Sequence, residues 1–270
     1  QIIIRIGVEK FCGIVSDSTG NTRLAQQLII REFPTIIALP DVCHFLSLIC
    51  KEIAKLDYFE KTLKTVRGTV AFFHKSHLGI KQLTDELKST GETRALEAIG
   101  KTRICTIIHA CASVRRCTSA IKKVVALGDV KFETETSFQP GGKLSQQTQD
   151  FAFKNSQLLA LGLPIAKAVH CLESNDANAN DVYLLVHAVM LEIEEVVRDL
   201  DNDFPLDIQA EVIALLNQRY AQLFDPTSLG NIASKAFLVA AYLNPSKLDF
   251  GVCNCTEKQI YSDNICNGPE

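Results

Sequence analysis

The sequence predicts a chain of two characters: a short α/β segment of βαβ type, followed by a large, mainly α-helical region. Three observations carry this reading. Two short apolar runs rich in β-branched residues, 11–15 and 35–39, flank a stretch whose apolar residues recur at helical spacing. Strand-like patterning nearly vanishes after Asp57. From there on, helical periodicity dominates, punctuated by Pro, Gly and Asn clusters.

Residues 1–10 read equally as a helix end or a short strand. Phe11-Cys12-Gly13-Ile14-Val15 reads as a strand buried on both faces. Ser16-Asp17-Ser18-Thr19-Gly20-Asn21 is a turn rich in helix-capping residues. A helix follows over 22–32, with Leu24, Leu28, Ile29 and Ile30 as its apolar positions, and Pro34 closes it. Thr35-Ile36-Ile37-Ala38-Leu39 is the second strand. Pro40-Asp41 opens a helix with Val42, Phe45, Leu46, Ile49 and Ile53 on one face. A strand–helix–strand crossover makes the two strands parallel and, almost always, right-handed. Ligands of such sheets gather at the carboxyl ends of the strands, where Asp17 and Asp41 both fall.

Further helices are predicted over 58–77, 79–89, 94–127, 150–173, 180–200, 205–223 and 228–242. Residues 129–149 read as a polar linker with a Pro-Gly-Gly turn, and 251–270 as a weakly ordered polar tail. The domain expectation is therefore 1–57, 58–250 and the tail.

Composition places the chain among globular proteins: 47% hydrophobic and 22% charged residues exclude global disorder. The net charge of −3 conceals an asymmetry. Residues 51–131 hold sixteen basic and eight acidic side chains, whereas 132–270 hold eight basic and nineteen acidic. The basic excess fits a polyanion-facing surface, and equally a solvated lysine-rich helical face. The ten cysteines lie mostly in apolar or helical runs, which fits buried thiols in a reducing compartment better than a disulfide scaffold. No apolar stretch approaches the ~18 residues of a membrane span, and no secretory leader is visible. The first residues read as the middle of a domain, so a fragment is expected.

Asp17 is a candidate metal ligand, since carboxylates at strand ends bind hard divalent cations. A plain helix-capping role for Asp17 or Ser18 competes with that. Asp41 and His44 are three apart on a helix and share a face, so the carboxylate could orient the ring, or both could contact one metal. The competing reading is Asp41 as an N-cap and His44 as a partly buried polar residue. Cys253, Cys255 and Cys266 lack paired zinc-ligand spacing, and His74 with His77 has no adjacent partner.

GIVSDSTGNTR (13–23) followed by TIIALPDVCHFLSLICKEIAK (35–55) resembles the central part of hAT-superfamily DNA transposases. The matching features are Val15-Ser16-Asp17 with Asn21, Asp41 with His44, and the helix ending Leu46-Ser47-Leu48-Ile49-Cys50-Lys51-Glu52-Ile53. Weaker similarity extends through 66–77, Thr102-Arg103, 161–174 and 235–248. The resemblance implies a partial ribonuclease-H-like core interrupted by a helical insertion. It implies three catalytic acidic residues with Mg²⁺ or Mn²⁺, Asp17 being similar to the second of them. It implies DNA as partner and an intracellular, nuclear location.

The departures bear on activity. The family's first carboxylate is expected before residue 1 and its last after residue 270. The tryptophan of a Thr-Arg-Trp motif is replaced by Ile104, which offers no indole platform for a base. The expected function is accordingly a fragment or derivative of an hAT-like transposase, catalytically incomplete alone. Its expected site residues are Asp17, Asp41 and His44, with Arg103, Arg115, Arg116, Lys122 and Lys123 toward nucleic acid. Two alternatives stay open: a domesticated nucleic-acid-binding or protein-interaction scaffold, in which a homo-oligomer or a protein partner is expected, and an unrelated hydrolase using Asp41 and His44 as general acid–base partners.

Overall fold

The structure is a computed structural model and describes residues 1–100, 105–139, 143–225 and 235–244, with backbone alone at 143–145. Its contacts divide the chain into two compact units. One comprises Gln1–Leu46, Lys167–Glu192 and the chain from Ile213 onward; the other comprises Ser47–Ala166 and Ile193–Val212. Each unit collects segments from distant parts of the chain.

In the first unit, helix α1 (Ile2–Ile6) and a 3-10 turn (Val8–Lys10) lead into strand β1 (Gly13–Ser16). Helix α2 (Gly20–Glu32) crosses over to strand β2 (Ile37–Pro40). The strands pair in parallel, with Gly13 opposite Ile37 and Ser16 opposite Pro40, as the βαβ reading requires. Gln26 Nε2 donates to the Leu39 carbonyl at 3.1 Å and ties the crossover helix to the sheet.

One expectation fails here. β1 is not buried on both faces: Val15 is 63% exposed, and Ile37 on β2 is 51% exposed. Among the described residues, the sheet has two strands. Leu24 and Leu28 of α2 are likewise exposed.

Helix α3 (Val42–Ile53) follows β2 directly, with Phe45, Leu46, Ile49 and Ile53 buried along its predicted face. The helical unit contains α4 (Asp57–Lys75), α5 (His77–Ser89), α6 (Thr106–Leu127) and most of α7 (Lys143–Leu172). Ser76 separates α4 from α5 and caps the latter, its Oγ accepting from the Gly79 N–H at 3.0 Å. Phe59, Ile108, Ile121, Leu158 and Leu161 are fully buried. Each such side chain contributes roughly 1.5–3 kcal/mol through burial. Helix α8 (Ala179–Arg198), α9 (Leu206–Phe224) and α10 (Lys235–Tyr242) complete the described elements.

Two segments differ from their sequence reading. Residues 92–100 are not helical, although helix was expected from 94. Side chains of α6 hold them in place: Ser113 Oγ accepts from the Glu97 N–H at 3.0 Å, and Arg116 Nη2 donates to the Ala95 carbonyl at 3.0 Å. These bonds hold backbone groups of the segment outside a helical ladder, just after Gly91, at φ +77°, which follows the end of α5.

Residues 129–139 are built into the core. Phe132 stacks on Phe72 at 4.6 Å, and Phe138, with no exposure, meets Phe151 edge-on at 5.4 Å. A few aromatic anchors suffice to bury a stretch that is polar on average. A 3-10 turn, Glu135–Ser137, lies within this segment. Helix α7 begins seven residues earlier than expected and continues through Pro164.

In the first unit, the His187 ring bridges the Tyr183 carbonyl and the Tyr220 hydroxyl, each at 2.8 Å. A carbonyl only accepts, so Nδ1 carries a hydrogen.

Candidate functional site

The parallel register brings the two predicted strand-end carboxylates to one edge. Ser16 and Pro40 are the last paired residues, and the Asp41 N–H donates to the Ser16 carbonyl at 2.8 Å. Asp17 and Asp41 thus follow adjacent strand ends, and both are half-buried. The loop after β1 is held by Thr22, whose hydroxyl donates to the Asp17 carbonyl at 2.7 Å. The Asp17 carboxylate accepts a longer bond, 3.3 Å, from Thr19. Thr19, rather than Asp17 or Ser18, occupies the N-cap position of α2.

Asp41 does cap its helix. Its Oδ1 accepts the His44 backbone N–H at 3.0 Å, closing the first turn of α3. Of the readings open for Asp41, the helix cap is the one that this bond fits: the carboxylate engages the main chain of His44. His44 itself is half-buried beside the sheet edge. Among the described residues, no three His, Cys, Asp or Glu side chains lie together as metal ligands. Mg²⁺ takes six oxygen ligands, commonly one or two carboxylates completed by waters and substrate phosphates.

The basic candidates divide into two kinds on α6. Arg116 is turned onto the 92–97 segment. It lies 3.7 Å from Glu92 and 3.5 Å from Glu97, besides its bond to Ala95. Lys123 pairs with Glu86 at 3.1 Å. Arg115 and Lys122 are exposed and, among the described residues, have no carboxylate within 4.0 Å. Both line a cleft of about 150 Å³ in the helical unit. Thr102 and Arg103, with Cys253, Cys255 and Cys266, lie outside the described residues.

The buried thiols are inert in character. Cys50, Cys105, Cys111 and Cys117 are all buried thiols outside any disulfide. A hydrogen bond with Cys105, then burial, raises the Cys50 thiol well above its ordinary range. Burial pushes Cys111 up to about 12 and Cys117 up to about 11. Such thiols are poor nucleophiles and poor metal ligands at neutral pH.

Sequence reasoning found the sheet edge and the basic helix. It missed Asn155, a buried amide of α7 that lines the same cleft. No motif marks it; the only available signal was the spacing of Arg115, Thr118 and Lys122, which share one face of α6.

No family model, curated protein or solved structure matches this chain. Among the described residues, no helix is long and apolar enough to cross a membrane.

Proposed function

We propose that this chain is a derivative of the catalytic region of an hAT-like DNA transposase, retaining part of a ribonuclease-H-like core and a helical insertion, and incomplete as a nuclease on its own. The observation that carries the reading is the parallel β1–β2 pair with Asp17 and Asp41 at neighbouring carboxyl ends. Family resemblance makes Asp17 one of three metal-binding carboxylates at such an edge. The mainly helical remainder agrees with an insertion into that core.

Two observations weigh against present catalysis. The Asp41 carboxylate is engaged as a helix cap, and no set of three ligands gathers among the described residues. Two-metal phosphoryl transfer needs carboxylates that clamp both ions. The reading is tested with supercoiled plasmid and hairpin DNA in Mg²⁺ or Mn²⁺. The expected result is no cleavage beyond that of Asp17→Ala. Robust turnover that Asp17→Ala abolishes overturns it.

A second reading, a domesticated nucleic-acid-binding scaffold in the nucleus, is favoured by the exposed pair Arg115 and Lys122. Phosphate contacts release counterions, so binding would weaken steeply with salt. Fluorescence anisotropy with a DNA duplex across a salt series measures that slope. Absence of binding at low salt removes this reading and leaves a protein-interaction scaffold.

A further inference from the structure

We propose that the cleft between α6 and α7 in the helical unit binds a small phosphomonoester carrying a hydroxyl group next to its phosphate. The proposal stands on the cleft alone and does not depend on the transposase reading.

Helix α6 presents Arg115, Thr118 and Lys122 at positions i, i+3 and i+7, one above another on a single face. Opposite them, α7 contributes Phe151, Asn155 and Ser156. The cavity of about 150 Å³ is roughly ten times the ~15 Å³ that admits one water. Duplex nucleic acid is far too large for it.

The charges distinguish this face from the rest of the helix. Arg116 and Lys123, each next in sequence to a cleft residue, are both neutralised by glutamates. Arg115 and Lys122 meet no carboxylate within 4.0 Å among the described residues. Two basic side chains that line one hollow suit an anion there. An Arg fork and a Lys ammonium, assisted by the Ser156 hydroxyl, suit the three oxygens of a phosphate; the Thr118 hydroxyl already donates to the Val114 carbonyl at 2.8 Å.

Asn155 sets the second half of the ligand. It is 2% exposed, and its Nδ2 donates to the Cys111 carbonyl at 3.2 Å. Its Oδ1 is buried and accepts no hydrogen bond. A buried amide oxygen left without a donor is costly, and native structures supply one. The amide oxygen only accepts, so the missing partner must donate. A phosphate dianion has no hydrogen to give, whereas a hydroxyl on a neighbouring carbon does. Phe151 offers an apolar wall for the carbon chain that joins the two groups.

The experiment is isothermal titration calorimetry of the full chain with glycerol 3-phosphate, ethyl phosphate, glycerol and a short single-stranded oligonucleotide. The expected result is saturable binding of glycerol 3-phosphate, weaker binding of ethyl phosphate, and none of glycerol. Arg115→Ala with Lys122→Ala should weaken glycerol 3-phosphate binding by about tenfold or more. Lys123→Ala removes one positive charge from the same helix outside the cleft and should leave binding unchanged, whereas Lys122→Ala alone, also one charge, should weaken it. The exposed cationic variants do not touch the core, so loss of folding does not confound them.

Equal affinity for ethyl phosphate and glycerol 3-phosphate overturns the role given to Asn155. An equal loss with Lys123→Ala reduces the effect to overall charge and overturns the site. Binding of the oligonucleotide alone, or no saturable binding of glycerol 3-phosphate at millimolar concentration, overturns the proposal outright. None of these outcomes bears on DNA cleavage, so this proposal and the transposase reading fail separately.

Discussion

Thr69 and Thr134 share a buried hydrogen bond of 3.0 Å between α4 and the 129–139 segment, side by side with Gly68. A Cβ at Gly68 would stand 2.8 Å from the Thr134 methyl. Gly68→Ala should therefore destabilise by roughly 1–3 kcal/mol through overpacking, despite the better helix propensity of alanine. Thr134→Ser removes the offending methyl and keeps the hydroxyl. Urea denaturation of the two single variants and the double variant should give a positive coupling, with the double variant more stable than Gly68→Ala alone.

Asp41 acts on α3 through its cap. Asp41→Ala should lower stability by about 1 kcal/mol, whereas Asp41→Ser should retain most of it, because serine also accepts the N–H of the first turn. If Ser and Ala variants unfold at the same urea concentration, the cap contributes nothing measurable.

Arg116 fastens the 92–100 segment to α6. Its Nη2 bonds the Ala95 carbonyl, while its buried Nε makes no hydrogen bond, lying 3.7 Å from Glu92. Arg116→Ala should cost about 1–3 kcal/mol and loosen this segment first. Limited trypsin digestion reads that directly, as faster cleavage after Arg94 than in the parent chain.

The thiols make stability depend on alkaline pH. Cys111 titrates near about 12 when folded, against an ordinary value of 9.0, because burial disfavours the thiolate. The raised value means that its contribution is fully present below pH 9. That contribution is lost as pH rises between about 9 and 12, where the unfolded thiol ionises first. Cys117 adds to the same limb up to about 11. Chemical denaturation from pH 8 upward should show this decline, and Cys111→Ala should reduce its slope. At pH 8, exposed Cys12 should react with a disulfide reagent well before buried Cys50, Cys105, Cys111 or Cys117.

The β1–α2–β2 unit was legible because each of its parts signals locally. Two β-branched runs, a capping turn and Pro34 all point to the same geometry. The positions of Asp17 and Asp41 at one edge followed from the parallel pairing that the crossover imposes. What Asp41 does there was not legible, since capping and ring orientation use the same residue spacing.

Residues 92–100 misled because their bonds come from Ser113 and Arg116, remote in sequence. Residues 129–139 misled because mean polarity hides three well-placed apolar side chains, Val130, Phe132 and Phe138. The difference between Arg115 and Arg116 is invisible in any pattern. It depends on where Glu92 and Glu97 lie once the chain has folded.

The pairing of β1 with β2 also has a colloidal consequence. Each strand has a single hydrogen-bonded neighbour among the described residues, and Val15 and Ile37 stand open to water nearby. Unpaired strand edges beside apolar side chains template the addition of further strands from other molecules. As the protein is concentrated, this edge is where intermolecular sheet growth would begin. Threonine at positions 15 and 37 would keep the β-branched shape and delay the onset of turbidity.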